Sequence, residues 1–197
     1  MLPSAGCTGR SEVVLSRRSV LATSVVTLTG CSGLTASPAP SPAAFPSIAA
    51  AGLSAHQRAL LGVLRTEFAA QPPGTKYSEG VEEAWCADFV SWCEKTAGSP
   101  LKNPNGGGWR IPGTMTLLDH LRATGVWHPL STNRRPVFGD IAIYDGNGPF
   151  GQHTNFVLGV EQRVLTTIGG NERAAPITVS HHPLDASLGL LGFGHRP

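Results

Sequence analysis

The sequence predicts an α+β domain in which helices pack on a mainly antiparallel sheet of five to six strands. Apolar residues recur at helical spacing in the segments up to about residue 125. After Pro136 they alternate with polar residues, as they do in half-buried strands. Helices that precede the strands, rather than alternating with them, are typical of the α+β class.

Three helices are expected in the first half of the domain. The first begins at Ser54-Ala55-His56-Gln57, a capping-box pattern that is followed by leucines at helical spacing. The second contains Trp85-Cys86-Ala87-Asp88-Phe89 and ends at Gly98-Ser99-Pro100. The third runs from about Thr114 to Ala123.

The predicted strands lie at 140–144, 153–160, 164–168, 177–180 and 190–193. In the second of them, the even positions from Phe156 to Val160 are apolar, so His153 and Asn155 lie on the other face. A hairpin with loop 161–163 sets Phe156 opposite Ile168. The same register sets His153 opposite Asn171, close enough for the amide to orient the imidazole.

The first 31 residues read as an export signal. Arg17 and Arg18 precede a short apolar run that ends at Leu28-Thr29-Gly30-Cys31. Paired arginines suggest a Tat-type signal peptide, and the run is too short to span a bilayer. Its end resembles a bacterial lipobox, which implies a lipid on Cys31. A plain cleaved signal is the alternative.

Residues 32–50 are rich in Ser, Ala and Pro and contain no charge, so we expect an extended tether. Residues 51–197 then form one domain, and we expect it to face the cell wall from the outer face of the cytoplasmic membrane. The formal net charge is only +2 and the sequence contains no basic stripe, and both observations argue against nucleic acid as a partner. No metal or cofactor motif occurs, and a monomer is expected.

Cys86 is the candidate nucleophile. It lies in the first turn of the second helix, where free N–H groups and the helix dipole favour a thiolate. Cys93 is too far along the same helix for a disulfide. A buried structural cysteine is the alternative reading.

The order cysteine, histidine, asparagine is that of papain-like enzymes. With these residues the chain resembles the CHAP-domain family of peptidoglycan hydrolases. The resemblance lies in four segments that occur in order: Trp85 to Val90, Phe138 to Tyr144, His153 to Val157, and Ile168-Gly169-Gly170-Asn171.

The resemblance implies a papain-like fold in which Cys86 attacks an amide carbonyl, His153 exchanges protons and Asn171 orients His153. Backbone N–H groups at the helix start would bind the oxyanion. Many relatives have Glu two positions before the asparagine, where this chain has Gly169.

Three more residues are candidates for substrate binding: Tyr77 as a hydroxyl donor, Trp109 as a stacking platform and Asp88 as a partner for a substrate amine. Each has an equally good structural explanation.

The sequence therefore predicts a lipid-anchored cysteine amidohydrolase that acts on peptidoglycan, either as an N-acetylmuramoyl-L-alanine amidase or as an endopeptidase of the stem or cross-bridge. Two alternatives stay open. The same fold performs acyl transfer or cuts a small amide, or the domain is a catalytically silent protein that binds the wall.

Overall fold

A computed structural model describes residues 44–172 and 176–196. The signal peptide, Cys31 and most of the tether lie outside this part of the chain. The helices and strands are α1 (Ala55–Ala70), α2 (Cys86–Thr96), α3 (Thr114–Ala123), β1 (Trp127–Pro129), β2 (Ile141–Tyr144), β3 (His153–Glu161), β4 (Val164–Gly170), β5 (Ile177–Pro183) and β6 (Leu190–Gly194).

The six strands form one antiparallel sheet in the order β1-β6-β2-β3-β4-β5. The α+β class is therefore confirmed, and so are the three helices. Among the strands of the described residues, β1 is the one that the sequence pattern did not predict. It spans three residues, too few to display an alternating pattern.

The starts of α1 and α2 differ in how they are capped. Ser54 caps α1 through a reciprocal capping box with Gln57, as the sequence predicts. Helix α2, in contrast, begins at Cys86 without a side-chain cap, since the side chain of Trp85 at the N-cap makes no capping hydrogen bond. The start of α2 therefore leaves its first N–H groups without capping partners.

The main core lies between the helices and one face of the sheet. Phe89 of α2 packs against Phe156 of β3, with ring centroids 6.4 Å apart. The core extends back into the predicted tether, because Phe45 packs on Phe68 with ring centroids 5.7 Å apart. The packed part of the chain thus begins before residue 51.

The other face of the sheet carries a smaller apolar cluster and several polar side chains. Tyr144, Val157 and Leu165 belong to this second cluster and are fully buried. His153 lies on this face at the start of β3, as strand parity predicts. One face of the sheet therefore carries the main apolar core, and the other carries His153, the predicted base.

The β3–β4 hairpin has the predicted register at one end and a different one at the other. Phe156 pairs with Ile168, as expected, but a bulge between Val157 and Gly159 shifts the pairing by one residue. Val160 therefore faces Leu165 rather than Val164. The loop shortens to Gln162 and Arg163, which have φ angles of 46° and 66°.

Candidate active site

Cys86 lies at the N-terminus of α2 with only 4% of its surface exposed. Its Sγ is 3.6 Å from the hydroxyl oxygen of Thr114, the first residue of α3. The backbone N–H of Thr154 also donates to the sulfur. These donors and the uncapped helix start surround the thiol with groups that favour its ionised form.

His153 interacts with the same sulfur from the start of β3. Burial alone would raise the pKa of Cys86, but the hydrogen bond and charge of His153 outweigh it, so the pKa is lowered. Burial would likewise lower the pKa of His153, but hydrogen bonds with Cys86 and Glu172 outweigh it and raise the pKa to about 9. The two shifts have the signs expected of a thiolate–imidazolium pair.

The third side chain at the site is Glu172. Its Oε1 is 3.3 Å from Nε2 of His153, and its side chain is only 7% exposed. Asn171, the residue predicted for this role, adopts a left-handed backbone conformation with a φ of 62°, and its N–H donates to the carbonyl of Pro176. The structure thus brings Glu172, rather than Asn171, to the imidazole.

The predicted hairpin register pairs His153 with Asn171 and places no later residue beside the imidazole. Strand β4 ends at Gly170, and the left-handed turn at Asn171 redirects the chain. The residue types do contain a signal for Glu172. A glutamate follows Asn171 directly, in a chain that lacks the acid expected at position 169.

Tyr77 is a core residue in the structure. It has no exposed surface, its ring stacks on Trp85 at a centroid distance of 5.2 Å, and its hydroxyl donates to Glu67 at 2.6 Å. Burial and the Glu67 carboxylate raise its pKa. The predicted role as a hydroxyl donor to the oxyanion therefore does not fit, because the hydroxyl is already bound to Glu67.

Asp88 is fully buried, and its Oδ1 lies 2.7 Å from Nε of Arg110. Burial raises its pKa to about 6, while Arg110 acts in the opposite direction. Arg110 also contacts Glu83. Asp88 thus fastens the loop before α3 to α2, and the predicted contact with a substrate amine does not fit its burial.

Trp109 lies in the same loop and is half-buried. The ammonium group of Lys95 is 4.2 Å from the centroid of its ring. Lys95 is in the last turn of α2, whereas Cys86 is its first residue. The contact that the structure shows for Trp109 is therefore with the last turn of α2, and its predicted stacking on a substrate stays a prediction.

A cavity of about 360 Å³ adjoins the imidazole and the carboxylate. Phe150 lies on one side of it, 40% exposed, with its ring centroid 5.9 Å from that of His153. Asn171 and Ser180 also line the cavity. The cavity therefore adjoins the imidazole on the side of Glu172, and its lining residues do not include Cys86.

The family model that describes the CHAP domain matches residues 76–171 of the sequence, which include Cys86 and His153. This segment is a CHAP domain. No curated protein and no solved structure matches the chain. The CHAP match confirms the predicted family and the papain-like α+β fold, and CHAP domains are in general amidohydrolases of the peptidoglycan-hydrolase type.

The match ends at Asn171, one residue before Glu172. The CHAP domain in this chain therefore obtains the acid next to its histidine from the residue that follows the matched segment. Within residues 44–172 and 176–196, no helix has the length and apolarity needed to cross a membrane.

Proposed function

We propose that this protein is a cysteine amidohydrolase that cuts amide bonds in peptidoglycan. The observation that carries the proposal is the hydrogen bond of Cys86, at an uncapped helix start, with His153, whose Nε2 lies 3.3 Å from the Glu172 carboxylate. A nucleophile, a base and a group that orients the base are the parts that covalent amide hydrolysis requires.

In the proposed mechanism, the Cys86 thiolate attacks the carbonyl carbon and the carbonyl oxygen takes up the negative charge. Backbone N–H groups at the start of α2, including that of Cys86, stabilise this oxyanion. The tetrahedral intermediate collapses as its C–N bond breaks, and the imidazolium of His153 gives its proton to the leaving amine.

His153, now neutral, removes a proton from a water molecule, which attacks the thioester. The C–S bond then breaks, which releases the carboxylic acid and regenerates the thiolate and the imidazolium. Glu172 is a positioning residue in this scheme, because it contacts the imidazole and not the reacting atoms.

The test uses purified protein and isolated peptidoglycan. We expect the wild type to release soluble fragments and Cys86→Ala to release none. Cys93→Ala is the matched control, since Cys93 is on the same helix, is fully buried and has a raised pKa through burial. Equal release by the wild type and Cys86→Ala would refute the mechanism.

The new chain ends distinguish the finer activities. Free amino groups on L-alanine would identify an N-acetylmuramoyl-L-alanine amidase, whereas new ends within the stem or cross-bridge would identify an endopeptidase. Products joined to an added amine would indicate acyl transfer. Wild-type protein that binds the wall without cutting it would support the scaffold alternative.

We also propose that the domain is exported and bound to the membrane by a lipid on Cys31. The twin arginines and the lipobox-like end of the apolar run support this address. Cell fractionation tests it: Cys31→Ala is expected to move the protein from the membrane fraction to the soluble one. Equal membrane retention of both proteins would refute the lipid anchor.

A further inference from the structure

Glu172 reaches His153 from outside the regular strand. Strand β4 ends two residues earlier, at Gly170, and Asn171 has a left-handed backbone conformation. The pleat of the sheet therefore does not fix the direction of the Glu172 side chain. Other contacts must hold the carboxylate, because a flexible glutamate loses rotamer freedom when it is ordered.

The first feature that positions the carboxylate is the space beside Gly169, which has no side chain. A Cβ atom at this position would lie 2.5 Å from Oε1 of Glu172 and 3.3 Å from Nε2 of His153. The carboxylate therefore occupies the volume that a side chain at 169 would need. Gly169 opens the way from Glu172 to the imidazole.

The second feature is a hydroxyl on the neighbouring strand. Ser180 of β5 donates from its Oγ to Oε2 of Glu172 at 2.5 Å. The two carboxylate oxygens thus have different partners, His153 for Oε1 and Ser180 for Oε2. Because both oxygens belong to one planar group, a fixed Oε2 also fixes the direction of Oε1.

We propose that Ser180 is a further positioning residue of this site, whose hydroxyl holds the Glu172 carboxylate against His153 in the space that Gly169 leaves open. The inference rests on the proposed function, in which His153 is the base. It adds a member from β5 to a site otherwise built from α2, α3, β3 and the chain after β4.

Among the described residues, the ionisable groups around His153 and Glu172 are Cys86 from α2, Tyr144 from β2 and His182 from β5. Tyr144 and His182 are joined to each other, with 2.9 Å between the hydroxyl oxygen and Nε2. Both interact electrostatically with Glu172. Ser180 nevertheless supplies a direct hydrogen bond to the carboxylate, which is the interaction that the experiment removes.

The experiment measures the alkylation of Cys86 by iodoacetamide as a function of pH, in the whole protein and without substrate. The thiolate forms the new S–C bond and iodide leaves, so the rate follows the thiolate fraction. Peptide mapping assigns the labelled cysteine.

In Ser180→Ala the carboxylate is free to turn away, so the imidazolium and its thiolate partner are less stabilised. We expect the thiolate midpoint to rise by about half to one pH unit, which slows alkylation below that midpoint roughly three- to tenfold. Against peptidoglycan we expect kcat to fall severalfold with little change in KM.

Ser180→Thr retains the hydroxyl and is expected to retain the wild-type midpoint. Thr166→Val is the matched control, since it removes a hydroxyl bound to His181 on the same pair of strands, away from Glu172. Thermal unfolding of each variant reports whether it folds.

An unchanged midpoint in folded Ser180→Ala would overturn the inference, as would an equal shift in Ser180→Thr, which would assign the effect to packing. If Ser180→Ala does not fold, Ser180→Cys, which replaces the hydroxyl with a weak donor, is expected to show the same upward shift, and its absence would overturn the inference. Because alkylation needs no substrate, a wild type that fails to cut peptidoglycan would refute the proposed function and leave this result readable.

Discussion

Replacement of Glu172 by glutamine tests whether the carboxylate charge maintains the imidazolium. The variant keeps the shape of the side chain and removes the negative charge next to Nε2 of His153, 3.3 Å away. An opposite charge at such a distance shifts a pKa by about one to three units. With a loss of roughly 1.5 units, the pKa of His153 falls from about 9 in the wild type to near 7.5.

The lowered pKa of His153 should reduce activity at alkaline pH and leave it nearly unchanged at acidic pH. At pH 8.5 the protonated fraction of His153 falls from about 0.76 to about 0.09, a change of about eightfold. At pH 6.5 it stays above about 0.9 in both proteins. Since the leaving amine requires a proton from the imidazolium, kcat/KM should fall about eight times more at pH 8.5 than at pH 6.5.

The assay is fragment release from peptidoglycan between pH 5 and pH 10, with Glu161→Gln as the matched control. Glu161 is exposed at the far end of β3 and receives the same substitution. We expect the alkaline limit of the profile to move towards neutral pH in Glu172→Gln and to stay in place in Glu161→Gln. An alkaline limit that is the same in Glu172→Gln and in the wild type would refute the reasoning.

Three further changes test the surroundings of the site. Tyr77→Phe removes the hydrogen bond to buried Glu67 and should cost about 1 to 3 kcal/mol in the free energy of unfolding, measured by denaturant titration, without slowing Cys86 alkylation. A Cβ at Gly170 would collide with Trp85, so Gly170→Ala should lower the melting temperature and also change the alkylation rate. Burial raises the pKa of Asp88 from 3.8 to about 6, so the folded protein loses stability as the pH rises through that window and Asp88 ionises. Asp88→Asn cannot ionise and should lack this loss. Its free energy of unfolding relative to that of the wild type should therefore rise between pH 4 and pH 6.

The sequence was sufficient to predict most of the scaffold. Capping at Ser54 and apolar spacing define the helices, and alternation in β3 places His153 on the face away from Phe156. These features depend on local backbone preferences and on burial, which leave periodic patterns in a sequence.

The arrangement around the imidazole could be predicted only in part. The bulge near Leu158 and the left-handed turn at Asn171 each alter where later side chains point, and neither has a periodic signal. Asp88 and Tyr77 illustrate a second difficulty: a polar side chain near a nucleophile can serve the core instead. The residues that pair with them, Arg110 and Glu67, belong to other segments of the chain, so no local pattern links the partners.

The adjacent glycines Gly169 and Gly170 lie where the sheet is crowded from both sides. Trp85, the residue before Cys86, fills the space beside Gly170, and the groups that contact His153 fill the space beside Gly169. Any side chain gained at either position would displace one half of the thiol–imidazole pair relative to the other. Directed evolution of this domain is therefore expected to leave these two codons untouched while neighbouring positions vary.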